Sequence, residues 1–179
     1  IVNQNIAIGT RAGQDITSGQ NVLIGYHVAL NATSAGSNVF IGHEAGGALT
    51  TGGSNTIIGA NAGDALTEAN YNVALGKNAL SADTLGSKTI AIGYGALDTQ
   101  NFTSATDTYN IAIGHNAGTA VTTGTGNTLV GGLAGDALTI GNSNVVYGYR
   151  ALGADTTGDR STAIGFQALA VQNFTTNTD

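Results

Sequence analysis

Short apolar triplets recur along the chain between polar stretches, and each triplet is closed by a glycine. "NIAIG" at 5–9, "NVLIG" at 21–25, "NVFIG" at 38–42 and "NTIIG" at 55–59 open the series. The closing glycines are Gly9, Gly25, Gly42, Gly59, Gly76, Gly93, Gly114, Gly131, Gly148 and Gly165, separated by 16, 17, 17, 17, 17, 21, 17, 17 and 17 residues. Asparagine stands four positions before eight of them, as Asn5, Asn21, Asn38, Asn55, Asn72, Asn110, Asn127 and Asn144; Thr89 and Ser161 fill the other two places. The triplets are too short and too β-branched for helices and predict strands. A repeat of this length predicts coils stacked on one another. The expected fold is all-β: a single parallel β-solenoid over 1–179, with about ten coils and a length of roughly 45–50 Å at ~4.8 Å per coil.

Each position in the coil carries its own expectation. Side chains alternate along a strand, so the residues one and three places before glycine share a face and the residue between them points the other way. All three columns lack charge. A strand that is apolar on both faces is buried on both, yet a coil this small has one interior. The second face therefore calls for a partner, and the natural one is an identical chain. The middle column, Ala7, Leu23, Phe40, Ile57, Ala74, Ala91, Ala112, Leu129, Val146 and Ala163, is the candidate seam. Stacked asparagines can bond their copies above and below as a ladder. The strict glycine column points to positive φ or to close backbone approach. Alanine three places after it, replaced only by Val28, marks a tight inner corner, and the polar remainder is the outer loop of each coil.

A longer period lies above the first. Residues 38–109 and 110–179 form two four-coil blocks that agree at about forty of seventy aligned positions, and "QNFT" at 100–103 returns at 172–175. Duplication accounts for the matched Asp64 and Asp136 as turn residues rather than as two ligand sites. The one departure from regularity is an extended outer loop at 98–110, "DTQNFTSATDTYN". With its counterpart near the chain's end it places Asn101, Phe102, Asn173 and Phe174 as a candidate ligand loop. The competing reading is a decorated turn whose phenylalanine packs on its own coil. Asn101 and Asn173 also head Asn-x-Thr sequons.

Composition narrows the function. With 28 Gly, 41% hydrophobic residues and 9% charged, the chain is neither disordered nor collagen-like, and no apolar run is long enough to cross a membrane. A net charge of −6, with Arg11, Lys77, Lys88, Arg150 and Arg160 scattered, argues against nucleic acid. There is no cysteine and hence no disulfide. No catalytic constellation remains once the repeat is subtracted, so no enzyme activity, cofactor or metal is expected. His43 and His115, equivalent by duplication, and the nearby His27 read as solvated corner residues. "TTG" at 50–52, 122–124 and 156–158 hints at a threonine array, but neighbouring coils are expected to interrupt it.

"NIAIGTRAG", "NVALGKNAL" and "STAIGFQAL" resemble the head repeats of trimeric autotransporter adhesins, the YadA-like heads, and similar repeats occur in phage tail fibres. The resemblance spans the whole chain, although the coil here is longer than is usual in those heads and neither neck nor stalk is present. It implies a left-handed β-roll in a homotrimer, outside the cell on a bacterial surface or virion fibre. It also implies attachment to a host receptor, a glycan or an extracellular-matrix ligand, without membrane insertion of this segment. The alternatives are a tail-fibre shaft with a purely structural role, and an ice-binding or glycan-active solenoid. Beginning and ending within the repeat, the chain reads as a segment of a longer fibre.

Overall fold

Ten three-residue strands stack into one parallel sheet in the computed structural model, which describes residues 4–174. They are β1 (Ile6–Ile8), β2 (Val22–Ile24), β3 (Val39–Ile41), β4 (Thr56–Ile58), β5 (Val73–Leu75), β7 (Ile90–Ile92), β9 (Ile111–Ile113), β10 (Thr128–Val130), β11 (Val145–Tyr147) and β12 (Thr162–Ile164). β6 (Gly86–Ser87) and β8 (Thr106–Asp107) form a second, two-stranded parallel sheet. Every pairing sets equivalent residues side by side, as in Phe40 opposite Ile57 and Ala91 opposite Ala112. The fold is an all-β parallel solenoid of about nine turns, the ten strands bounding them, with no helix among the described residues.

Backbone bonds between successive coils continue past the strands. After β3, Glu44 N donates back to Tyr26 O, Gly46 N forward to Ala62 O, and Thr50 N forward to Thr67 O. In most coils two i→i+3 bonds turn the corner, for example Ala62 N to Gly59 O and Leu66 N to Gly63 O. Positive φ is confined to four places in every coil: the residue before the ladder position, the strict glycine, and the second and fourth residues after it. The strict glycines hold φ between 126° and 144°. At Gly131 an added Cβ would lie 2.6 Å from the carbonyl carbon and oxygen of Gly148 in the next coil. Both reasons expected for that column therefore apply at once.

The middle strand column faces inward, which corrects its assignment as an intermolecular seam. Leu23, Phe40, Ile57, Ala74, Ala91, Ala112, Leu129, Val146 and Ala163 are buried within the single chain, while Ala7, in the first coil, is exposed. Alternation shows that the columns oppose each other but not which one is enclosed. The enclosed one meets the corner alanines and a leucine-rich column that includes Leu49, Leu66 and Leu138. The outward columns are the flanking ones, with Ile6, Leu75, Ile113, Tyr147 and Ile164 exposed.

Size matching across the narrow interior explains why glycine and leucine alternate four places after the strict glycine. A large strand residue faces glycine: Phe40 with Gly46, Ile57 with Gly63, Leu129 with Gly135. A Cβ on Gly46 would meet Phe40 Cε2 at 2.9 Å. Where the strand contributes Ala74 or Ala91, Leu80 and Leu97 fill the space, each fully buried. In these coils the interior exchanges bulk between its two walls; in the coil of Ala112, whose facing residue is Gly118, Leu129 of the next coil fills the space instead.

Candidate functional site

The asparagine column is a ladder, as its spacing predicts. Asn38 Oδ1 accepts from Asn55 N at 2.8 Å, Asn55 Oδ1 from Asn72 N at 2.9 Å, and Asn127 Oδ1 from Asn144 N at 3.0 Å. Each amide nitrogen also donates across its own coil, Asn127 Nδ2 to Gly141 O at 2.8 Å. The ladder thus satisfies buried backbone groups that no strand partner reaches.

A second column escaped the sequence reading. Eight places after the strict glycine stand Thr17, Thr33, Thr50, Thr67, Thr84, Asn101, Thr122, Thr139, Thr156 and Asn173. Threonine fills eight of these ten places; the column is interrupted at Asn101 in the extended coil, and Asn173 takes the place again in the last. The motif "TTG" concealed it because only its first threonine belongs to the column. The hydroxyls of Thr50, Thr122 and Thr139 donate to the backbone oxygen one coil on, at 2.7–3.2 Å.

The extended loop rests on a buried polar cluster that sequence reading also missed. In most coils the seventh residue after the strict glycine is apolar, but Asp83 and Gln100 occupy that place, both fully buried. Asp83 Oδ2 accepts from Gln100 Nε2 at 2.6 Å, and its Oδ1 accepts from Gly86 N and Phe102 N, each at 3.0 Å. Gln100 Oε1 in turn accepts from Asn110 Nδ2 at 2.8 Å, where Thr89 has broken the ladder. The second block repeats the arrangement: Asp155 Oδ1 accepts from Gly158 N and Phe174 N. The available signal was the joint appearance of Asp, Gln and a missing ladder Asn beside the one long loop.

This cluster decides the candidate ligand loop. Phe102 is buried, 7% exposed, and its backbone bonds Asp83, Thr84 and Leu85 of the preceding coil, so its ring offers little area to a ligand. Phe174 is 37% exposed, and Asn101 and Asn173 are exposed, accepting from Thr84 Oγ1 and Thr156 Oγ1. Thr175 of the second sequon lies outside the described residues. Part of the loop is β8, paired with β6.

Burial raises the Asp83 carboxyl above 3.8, partly offset by the bonds from Gln100, Phe102 and Gly86. A carboxyl raised in this way takes up its proton more readily in the folded chain. It costs stability above its folded pKa, and that cost fades as pH falls through the folded pKa toward 3.8. The double variant Asp83→Leu/Gln100→Leu restores the leucine of other coils. Thermal melts at descending pH should show a smaller acid-side gain for it than for wild type; equal pH dependence would remove Asp83 as the cause.

Asp64 and Asp136 are half-buried turn residues, each with a buried Oδ1 that has no hydrogen-bond partner, and desolvation raises both. Among the described residues no group of three His, Cys, Asp or Glu is placed to hold a metal ion, and no helix is long and apolar enough to cross a membrane. His43 and His115 are exposed, stacked on Tyr26 and Tyr94 with ring centroids 5.2 Å apart.

One exposed constellation stands where the repeat is interrupted. Tyr71, Lys88 and Tyr109 occupy the position before the ladder in three consecutive coils. Lys88 Nζ lies 2.5 Å from Asp107 Oδ2, 3.2 Å from the Tyr109 hydroxyl and 5.2 Å from the centre of its ring. The class defined by this architecture is the parallel β-solenoid. Compared with known protein families, curated proteins and solved structures, the chain shows no significant match.

Proposed function

We propose that the chain is a structural and adhesive segment of an extracellular homotrimeric fibre, whose outer loops attach to a host receptor, glycan or surface. The observation that carries this reading is the outward face of the ten-stranded sheet. Its two columns hold no charge, and Ile6, Ile8, Leu75, Ile113, Val145, Tyr147 and Ile164 are exposed on it in the single chain. An uncharged face that is apolar except at Thr56, Thr128 and Thr162 is the mark of an interaction surface. A second copy presenting the same regular columns is its natural complement, because both surfaces repeat with the same coil spacing. The resemblance to adhesin heads supports three copies, and a tail-fibre shaft would use the same face.

Light scattering tests the assembly. Wild type should run at three chain masses, and Ile92→Glu, which places a charge on the outward column, should run as a monomer with an unchanged far-UV spectrum. A monomeric wild type would defeat the proposal. Ala91, next to Ile92, is interior, so a charge there tests folding instead. The runs of stacked threonines on either side of Asn101 are the feature that an ice-binding reading would use. Against it, the column's hydroxyl protons point along the rod to backbone carbonyls. Thermal hysteresis in the purified protein would favour it.

A further inference from the structure

We infer that Tyr71, Lys88, Asp107 and Tyr109 form a binding site for a neutral glycan; this rests on the attachment reading above and relocates its contact surface from Phe102 to the two tyrosines.

Folding does not explain these rings. Tyr71 and Tyr109 are 63% and 59% exposed, so their apolar faces contribute little to the core. Both sit at positive φ, 59° and 51°, a conformation that bulky side chains rarely adopt. Other coils fill the same position with Gln4, Gln20, Ser37, Ser54, Gly126, Ser143 or Arg160. The turn imposes positive φ on whatever residue stands here, so what marks these two coils is a large exposed ring with little packing return, which directs attention to function.

Their arrangement suits a sugar. Two coil steps separate the rings, about 10 Å along the rod. A pyranose presents an apolar C–H face and a rim of hydroxyls; exposed tyrosine rings accept the face, and charged groups hydrogen-bond the rim. Lys88 and Asp107 stand between and beside the rings, one supplying donors and the other acceptors. The pair is already mutually neutralised, and the chain carries a net charge of −6, so the patch favours uncharged sugars over acidic ones. The β6–β8 pairing fixes Asp107 relative to Ser87, next to Lys88, and so holds the polar half of the site in place.

The repeat itself provides fold-preserving variants, because serine occupies this position in other coils. The assembled protein would be titrated by calorimetry against soluble neutral polysaccharides (a mannan and a linear β-glucan) and against heparin as an acidic probe. The expected result is saturable binding of at least one neutral polymer. A tenfold or greater loss should follow in Tyr71→Ser and in Tyr109→Ser, with no change in Tyr94→Ser. Neutral-glycan binding that survives the double variant Tyr71→Ser/Tyr109→Ser would overturn this site while leaving the attachment reading intact. Binding of heparin alone, or of none of the probes, would overturn the inference of a neutral glycan. Light scattering of the same variants separates a further case: if the serine substitutions lower the oligomer mass, the rings belong to the contact between copies and the inference fails.

Discussion

Gly131→Ala is expected to destabilise the solenoid severely, while Gly132→Ala, one residue on, leaves it unchanged or slightly more stable. Gly131 holds φ 134°, and a Cβ there would sit 2.6 Å from the carbonyl of Gly148, which is itself held in the axial stack. Neither the strain nor the clash can be relieved by rotating a side chain. Left-handed strain of ~1–3 kcal/mol and overpacking of ~1–3 kcal/mol together give a loss of roughly 3 kcal/mol or more. For a domain of this size that lowers the melting temperature by on the order of 10 °C. At Gly132 the nearest atom to an added Cβ is Tyr149 Cδ2 at 3.5 Å, and φ is not positive. Restricting the unfolded chain there is worth about 0.4–1 kcal/mol. Circular-dichroism melts of the two single variants make the comparison; equal melting temperatures would show that the glycine column is not fixed by its backbone.

The ladder gives the second large effect. Asn127→Leu preserves bulk but removes three bonds: the acceptor for Asn144 N, the acceptor for Asn144 Nδ2, and the donor to Gly141 O. The position is fully buried, so water cannot replace them. Two orphaned backbone groups at about 1–3 kcal/mol each predict a loss of roughly 2–5 kcal/mol. Asn31 is exposed, with one side-chain bond, to Gly47 O, and its replacement by alanine should cost less than about 1 kcal/mol. Hydrogen exchange adds a local readout, since the amide of Asn144 should lose protection before the distant coils do.

Much of the fold was legible because each coil repeats the same physical problem. The Asn and Gly columns and the triplets between them are constrained strongly enough that ten copies expose the rule. The candidate site was less legible. Phe102 looked like a decorating aromatic because nothing local reveals that Asp83, seventeen residues before Gln100, binds its backbone from inside the coil. Tyr71, Lys88 and Tyr109 are scattered in the sequence and become neighbours only when coils stack. The threonine column stayed hidden behind a motif whose second threonine is unrelated to it.

The sequence by itself determined the strands, their parallel register, the ladder and the strict glycine, since periodicity alone sets which residues stack. Tertiary structure decided which strand face is enclosed. Alternation is symmetric between two apolar faces, and only the closing of the coil brings the corner alanines and the leucine column against one of them. It also decided where the left-handed residues fall: Arg11, His27, Glu44 and Leu80 carry no preference for that conformation, and the turn geometry imposes it. The polar break at Asp83 and Gln100 belongs to the same category, because a buried hydrogen-bond network exists only among residues that the coils have already brought together.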